Sequence, residues 1–196
     1  MQYYNIMKAS QHSETAGRLE MERVYRGRFA TPGHDHAHCV ADALASAETV
    51  CRARGARLTG QRRKVLEIIW KSHVPVGAYD ILAVLSPDER PAAPPTVYRA
   101  LEFLQAHGLV HKIESLKAFV GCQHPGEDHV GQFLICEQCG NTAEIEDPQI
   151  TNAVWGRAAA AGFRIAEMIL EVRGLCPVCQ IDRNALDHPA HDHTTR

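Results

Sequence analysis

Residues 111–144 read HKIESLKAFVGCQHPGEDHVGQFLICEQCGNTAE. These 34 residues hold Cys122, Cys136 and Cys139, His111, His124 and His129, and several carboxylates. They join a basic half with helical patterning to an acidic half richer in β-runs. A metal bound here would hold two domains at a fixed angle, so the stretch predicts two domains with a metal-binding hinge between them.

Working outward, Cys136 and Cys139 form a C-x-x-C pair followed by Gly140, and Cys176 and Cys179 form a second pair shortly after Gly174. Four soft thiolates suffice for a closed tetrahedral zinc site with no position left for water, which is the structural kind. The 36 residues between the pairs leave room for a strand and a helix between the two knuckles. A redox pair or two disulfides would use the same cysteines. No secretory signal precedes them and a redox motif needs no twin, so zinc is the better reading.

With 196 residues, 45% of them hydrophobic, the chain suffices for one large domain or two small ones. No apolar run is long enough to span a bilayer and the N-terminus lacks a signal-peptide core, so the expectation is a cytoplasmic protein with no membrane partner. The net charge of −2 hides an asymmetry. Residues 40–121 carry 11 Lys/Arg against 8 Asp/Glu, whereas residues 122–196 carry 5 against 11. The basic half suits a polyanion and the acidic half does not.

Residues 1–33 show no sustained periodicity and read as a mobile tail, in which Met7 and Met21 are further candidate starts. His34, Asp35, His36, His38 and Cys39 follow, able to bind metal but read as part of a flexible arm, since an unstructured site must first be ordered. Ala43, Leu44, Ala47, Val50 and Cys51 give a first helix over 40–54, ended by Gly55, with Cys51 as a core residue. Thr59 is the expected N-cap of a second helix through Trp70. Six basic residues, Arg52, Arg54, Arg57, Arg62, Arg63 and Lys64, run without an intervening acid. A third helix starts near Gly77 and Ala78 and stops at Ser86-Pro87. After the loop ERPAAPP, a fourth helix is expected with Thr96 as N-cap and Gly108 closing it. Val97, Ala100, Leu101 and Leu104 face inward on it, which leaves Arg99 and Glu102 outward and Tyr98 on the flank. Two short helices and a turn, the second with polar residues at its start, match a helix-turn-helix. The extended runs 109–114 and 117–121 complete a winged helix.

Farther on, 132–135 and 142–146 flank the first knuckle as a hairpin. Asp147-Pro148 opens a helix along which Ile150, Val154, Ala158 and Ala161 recur, and 163–172 reads as a long strand reaching the second knuckle. So small a sheet with one helix buries little alone, which predicts dimerisation. The fold class is α+β: a winged-helix DNA-binding domain, then a small α/β dimerisation domain with a four-cysteine zinc site. The expected boundaries are a mobile extension over 1–39, the winged helix over 40–121, a hinge over 122–130, the dimerisation domain over 131–182, and a flexible tail over 183–196. His188, His191 and His193 lie in that tail.

PPTVYRALEFLQAHGLVHKIES together with CEQCG and CPVC resembles the ferric uptake regulator family, over residues from about 40 to 180. VHKIES followed by Cys122, and the single DH before FLIC, resemble its zinc uptake branch. Iron-sensing members carry a His-rich run where this chain reads GEDHVGQFLIC. The resemblance implies a homodimeric, zinc-responsive repressor and no enzymatic activity. It implies a structural zinc on Cys136, Cys139, Cys176 and Cys179 and a regulatory zinc on His111, Cys122, His129 and Glu144, one structural and at least one regulatory ion per protomer. Its partner would be a double-stranded operator with inverted-repeat half-sites, met by Tyr79 and Arg99, with Thr96 and Tyr98 beside Arg99 and with Arg57 and Arg62 toward phosphates. One sulfur, two nitrogens and one oxygen would close around a single ion, and a thiolate favours zinc over ferrous iron or manganese. His124 competes with His129 for the hinge position. An iron- or peroxide-responsive regulator of the same family is the alternative; a zinc hydrolase would need an open coordination position that four protein ligands do not leave.

Overall fold

The computed structural model describes residue 29 and residues 35–86, 94–127 and 129–181. In the first half, the apolar residues at helical spacing build α1 (His36–Ala53), α2 (Gly60–Trp70), α3 (Ala78–Leu85) and α4 (Pro94–Ala106). Their inward positions form one core in which Ala47, Cys51, Leu66, Ile81, Leu101 and Leu104 are almost wholly excluded from solvent. Burial of this kind is the main stabilising term for short helices, which are marginal alone. Gly108 just beyond α4 sits at φ +63, the left-handed conformation that lets the chain leave the helix and enter the next strand.

That strand, β2 (Val110–Ile113), pairs antiparallel with β3 (Ala118–Gly121), and β3 pairs in turn with a two-residue strand, β1 (Val76–Gly77). The order β1-β3-β2 completes the winged helix. The sequence reading did not contain β1, because two residues are too few to show any periodicity.

The second half holds β4 (Gly131–Cys136), β5 (Thr142–Ile145), α5 (Pro148–Ala160) and β6 (Ile169–Gly174). β4 and β5 form the expected hairpin around the first knuckle, while β6 lies parallel to β4 on its other side, giving the order β5-β4-β6. A parallel neighbour needs a crossover, and α5 supplies it. Asp147 caps α5 by accepting from the Gln149 N–H at 2.8 Å, with Pro148 in the first turn where a missing N–H costs nothing.

Several local expectations are corrected. α4 begins at Pro94, so Thr96 lies inside its first turn rather than capping it; proline's fixed φ starts the helix earlier. The strand expected over 163–172 begins only at Ile169 and runs to Gly174, because the six residues of β4 set its register, Gly131 opposite Ile169 through Cys136 opposite Gly174. Phe163 stays outside the sheet, 67% exposed. α1 starts at His36, capped by Asp35, whose carboxylate accepts from the Ala37 N–H at 2.9 Å, so His36, His38 and Cys39 belong to a helix. Thr59 occupies the N-cap of α2 without a side-chain hydrogen bond. The readings for 1–28, for His34, for most of the proline-rich loop and for the tail 183–196 lie outside the described residues.

The two halves touch through an apolar cluster of Ile113 and Val120 from the wing with Phe133 and Ile135 from β4. The Thr142 N–H also donates to the His73 carbonyl at 3.0 Å. Among the described residues no helix is long and apolar enough to cross a membrane.

Candidate metal centre

Among the described residues two groups of metal-ligating side chains come together, and they are those the sequence pointed to. The Sγ atoms of Cys136, Cys139, Cys176 and Cys179 lie within 4.8 Å of one another. β4 ends at Cys136 and β6 at Gly174, two residues before Cys176, so the parallel pairing brings both knuckles to one end of the sheet. None of the described cysteines is disulfide-bonded. A tetrahedron with Zn–S bonds of about 2.3 Å has S···S edges of about 3.8 Å, and Cys139 and Cys176 stand 3.8 Å apart. The Cys136 thiol is buried, which opposes ionisation, but N–H groups around it outweigh this and hold its pKa down at about 6. One of them, from Cys176, reaches its sulfur at 3.3 Å.

The second group spans three segments. His111 stands on β2, Cys122 follows β3, His129 lies in the hinge, and Glu144 sits on β5. Glu144 Oε1 is 2.8 Å from both His111 Nε2 and His129 Nε2, which are 3.1 Å apart, and Cys122 Sγ is 3.6 Å from His129 Nε2. The remaining polar atoms of two of these side chains are anchored elsewhere. His129 Nδ1 pairs with the Glu127 carbonyl at 2.9 Å and Glu144 Oε2 accepts from the Gln123 N–H at 2.8 Å. Each anchor leaves one ligating atom aimed inward, the outer-shell arrangement that fixes tautomer and orientation in metal sites. These distances lie within about 0.6 Å of the edges of a zinc tetrahedron of mixed N, O and S ligands.

The electrostatics agree with a site built for a cation. Burial is the largest single effect on Glu144 and pushes its pKa up, yet hydrogen bonds from His111 and His129 outweigh it and hold the carboxyl at about 2. For His111 burial likewise opposes protonation, but Cys122 and Glu144 raise its pKa to about 9. His129, bonded first to Cys122 and then to Glu144, reaches about 11. The Cys122 thiol is raised by burial and lowered more by both histidines. An unpaired carboxylate that is 97% buried would be severely destabilising, so Glu144 needs this cationic company, whether imidazolium or metal. His124 does not join the group; its ring centroid is 6.1 Å from that of His129.

The residues expected to meet DNA lie in the helical half of the chain, on or beside α2, α3 and α4. Tyr79 on α3 is 75% exposed, and Thr96, Tyr98 and Arg99 are exposed along the start of α4. Arg57 is exposed as well. Arg62 differs: its guanidinium lies 3.4 Å from the centroid of Phe103 and donates to the Arg57 carbonyl at 2.6 Å. Its flat face is thereby committed to α4, and only its edges remain for an anion. Arg63 pairs with Glu48 on α1. Sequence reasoning missed the anchoring groups of Gln123 and Glu127, because backbone atoms leave no residue-type signature.

Residues 53–173 match the model of the Ferric uptake regulator family. The zinc uptake regulation protein of Escherichia coli (strain K12) is 38% identical over 157 residues, which is 78% of this chain and 91% of that protein. A zinc uptake regulator solved in complex with zinc and DNA aligns with a TM-score of 0.70 at 36% identity, over 74% of this chain and 97% of that one. The holo form of XcZur aligns with a TM-score of 0.66 at 43% identity, over 71% of this chain and 98% of that one. By the span of the match and the agreement of sequence with structure, the chain belongs to the ferric uptake regulator family, in its zinc uptake regulator branch.

Proposed function

We propose that this protein is a zinc-responsive transcriptional repressor whose zinc-loaded dimer binds operators of zinc-uptake genes. The observation that carries the reading is the convergence of His111, Cys122, His129 and Glu144 from wing, hinge and core on one point. Bound there, zinc supplies a tetrahedral centre that ties four side chains together, while the four cysteines hold a second, structural ion. With the wing drawn to the core, α4 takes a fixed direction relative to the C-terminal sheet. Two such helices in a dimer then present Arg99 at the separation of two inverted half-sites, and Tyr79, Thr96 and Tyr98 border the same groove. Arg57 and the edges of Arg62 face phosphates.

The dimer is supported by α5, which has apolar positions at helical spacing and no buried residue. Val154, Trp155 and Val172 are between 42% and 46% exposed, apolar surface available to a second copy. Coupling follows by linkage: DNA tightens zinc by the factor with which zinc tightens DNA. Moving a hinge from 1:99 to 99:1 in favour of the competent state takes about 5.5 kcal/mol. The protein works in the cytoplasm and is not an enzyme, since four protein ligands leave no open position for substrate. A buried Cys122 in the ligand set favours zinc over the redox-active iron of an iron or peroxide sensor.

The test is zinc per monomer after dialysis against a mild chelator and again after zinc is restored, alongside operator binding, for the wild type and Cys122→Ser. One chelator-resistant ion plus a second regained only by the wild type, together with zinc-dependent DNA binding, is the expected result. Equal zinc uptake by Cys122→Ser would overturn the assignment of the regulatory site.

A further inference from the structure

Glu144, Phe133 and Glu171 form one row across the C-terminal sheet. Phe133 is in register with Glu144 of β5 on one side and with Glu171 of β6 on the other. Residues in register on neighbouring strands project to the same face, and this row meets the wing along its length. At one end Glu144 bonds His111 at the start of β2. In the middle Phe133 packs with Ile113 and Val120. At the far end the Glu171 carboxylate accepts from two backbone N–H groups of the wing turn, Glu114 at 2.6 Å and Ser115 at 3.2 Å. The dimensions agree: two strand spacings across the sheet and three residues along β2 both come to about 10 Å.

We infer that Glu171 is a positioning residue, a metal-independent latch that holds the wing tip to the dimerisation domain and so pre-sets the hinge for zinc and for DNA. This rests on the zinc-responsive reading above. A tether at the metal cluster, with only the non-directional apolar contact of Phe133 beside it, fixes where the wing is but leaves its tip free to pivot. A second anchor about 10 Å away removes that pivot, and with it the freedom of α4 to change direction. Glu171 suits the task chemically. Burial raises its pKa somewhat, but the wing amides, the Ser115 hydroxyl and Arg173 outweigh this and keep it ionised. An ionised carboxylate on two amide donors makes the stronger class of hydrogen bond. The latch competes with nothing at the metal cluster, since it uses backbone donors at the opposite end of β2.

A protein whose competent state is partly populated shows an apparent affinity reduced by that fraction. Removing the latch therefore weakens regulatory zinc binding, whereas saturating zinc restores the closed hinge without it. The experiment compares the wild type, Glu171→Ala and Glu171→Gln, each with the four-cysteine site filled. Amide hydrogen exchange of residues 114–115 is followed without regulatory zinc. Zinc affinity of the second site is measured by dye competition, and operator binding at limiting and at saturating zinc. Expected for Glu171→Ala are faster exchange at the wing turn and regulatory zinc binding weakened roughly five-fold, allowing for solvent screening of exposed bonds. Operator affinity at saturating zinc should stay within about two-fold of wild type, and Glu171→Gln, which keeps one acceptor oxygen, should fall between. Unchanged exchange or unchanged zinc affinity overturns the latch. So does loss of operator affinity at saturating zinc with zinc affinity intact, which would place Glu171 at the DNA interface. If the wild type itself fails to bind DNA with zinc, the functional reading fails instead, and the exchange result still decides whether the latch exists.

Discussion

Gly121→Ala should cripple the regulatory site while leaving the structural one filled. Gly121 ends β3, directly before Cys122, beneath the indole of Trp70. A β-carbon there would stand 2.7 Å from Trp70 Cζ2 and closer still to Cε2 and Nε1, whereas carbon atoms in contact prefer about 3.5–4.0 Å. Trp70 packs against the helical core, so its ring cannot simply swing away. Either the ring or the end of β3 must move by about 1 Å, and overpacking of this kind costs about 1–3 kcal/mol. Movement of the strand carries function with it. The Cys122 N–H is tied to the Leu109 carbonyl at 3.1 Å and its Sγ stands 3.6 Å from His129 Nε2. Metal–ligand distances in bound sites hold to within about 0.2 Å, so a ligand moved by about 1 Å must be brought back before the ion can bind. The expected result is a loss of about 1–3 kcal/mol in denaturant unfolding and a loss of regulatory zinc affinity of about ten-fold or more. Adding Trp70→Leu should recover part of both, as a double-mutant cycle for two touching residues. Wild-type zinc affinity and stability in Gly121→Ala alone would refute the reasoning.

Two further predictions concern protons and DNA. Zinc binding at the mixed cluster should weaken as pH falls, because the metal must displace protons held up to about 9 on His111 and about 11 on His129 while Glu144, at about 2, stays ionised throughout. With two imidazolium protons leaving, affinity should rise by up to about 100-fold per unit between pH 7 and 9; calorimetry in buffers of different ionisation enthalpy counts those protons, and release near zero would contradict the cluster's charge state. Arg99→Ala should cost about 1–3 kcal/mol on the operator and much less on random duplex, as for a forked contact to guanine; equal weakening on both in a gel-shift titration would make it a phosphate contact only.

Much of this was legible in the residues, and what was not has a common cause. The buried face of α4, the cap at Asp147-Pro148 and the two C-x-x-C knuckles are local patterns, and the structure carries each where the pattern lies. The pairing of β6 with β4, the short β1 and the true start of the last strand depend on partners far along the chain, so spacing alone left the first two unread and misplaced the third. The stacking of Arg62 on Phe103 joins α2 to α4 and leaves no trace in either segment. α5 shows the opposite case. Ile150, Val154 and Ala158 recur as a buried face should, yet none is buried in one chain. Its pattern records a burial that a single protomer does not supply.

The two metal-ligating groups also differ in what a metal must displace. In the four-cysteine group every donor is a thiol or thiolate, and nothing among the four carries a positive charge. A divalent cation meets no internal competitor there beyond the thiol protons. In the mixed group the donors already satisfy one another: one carboxylate oxygen accepts from two imidazoles at 2.8 Å, and Cys122 stands against His129. A cation entering this group must replace hydrogen bonds that are themselves favourable, so its net gain is smaller than the bare ligand count suggests. The same self-pairing keeps wing, hinge and core near one another without metal, which lowers the ordering cost of closure. Affinity set by competition of this kind suits a site that must empty when zinc is scarce, whereas the thiolate site suits an ion that stays.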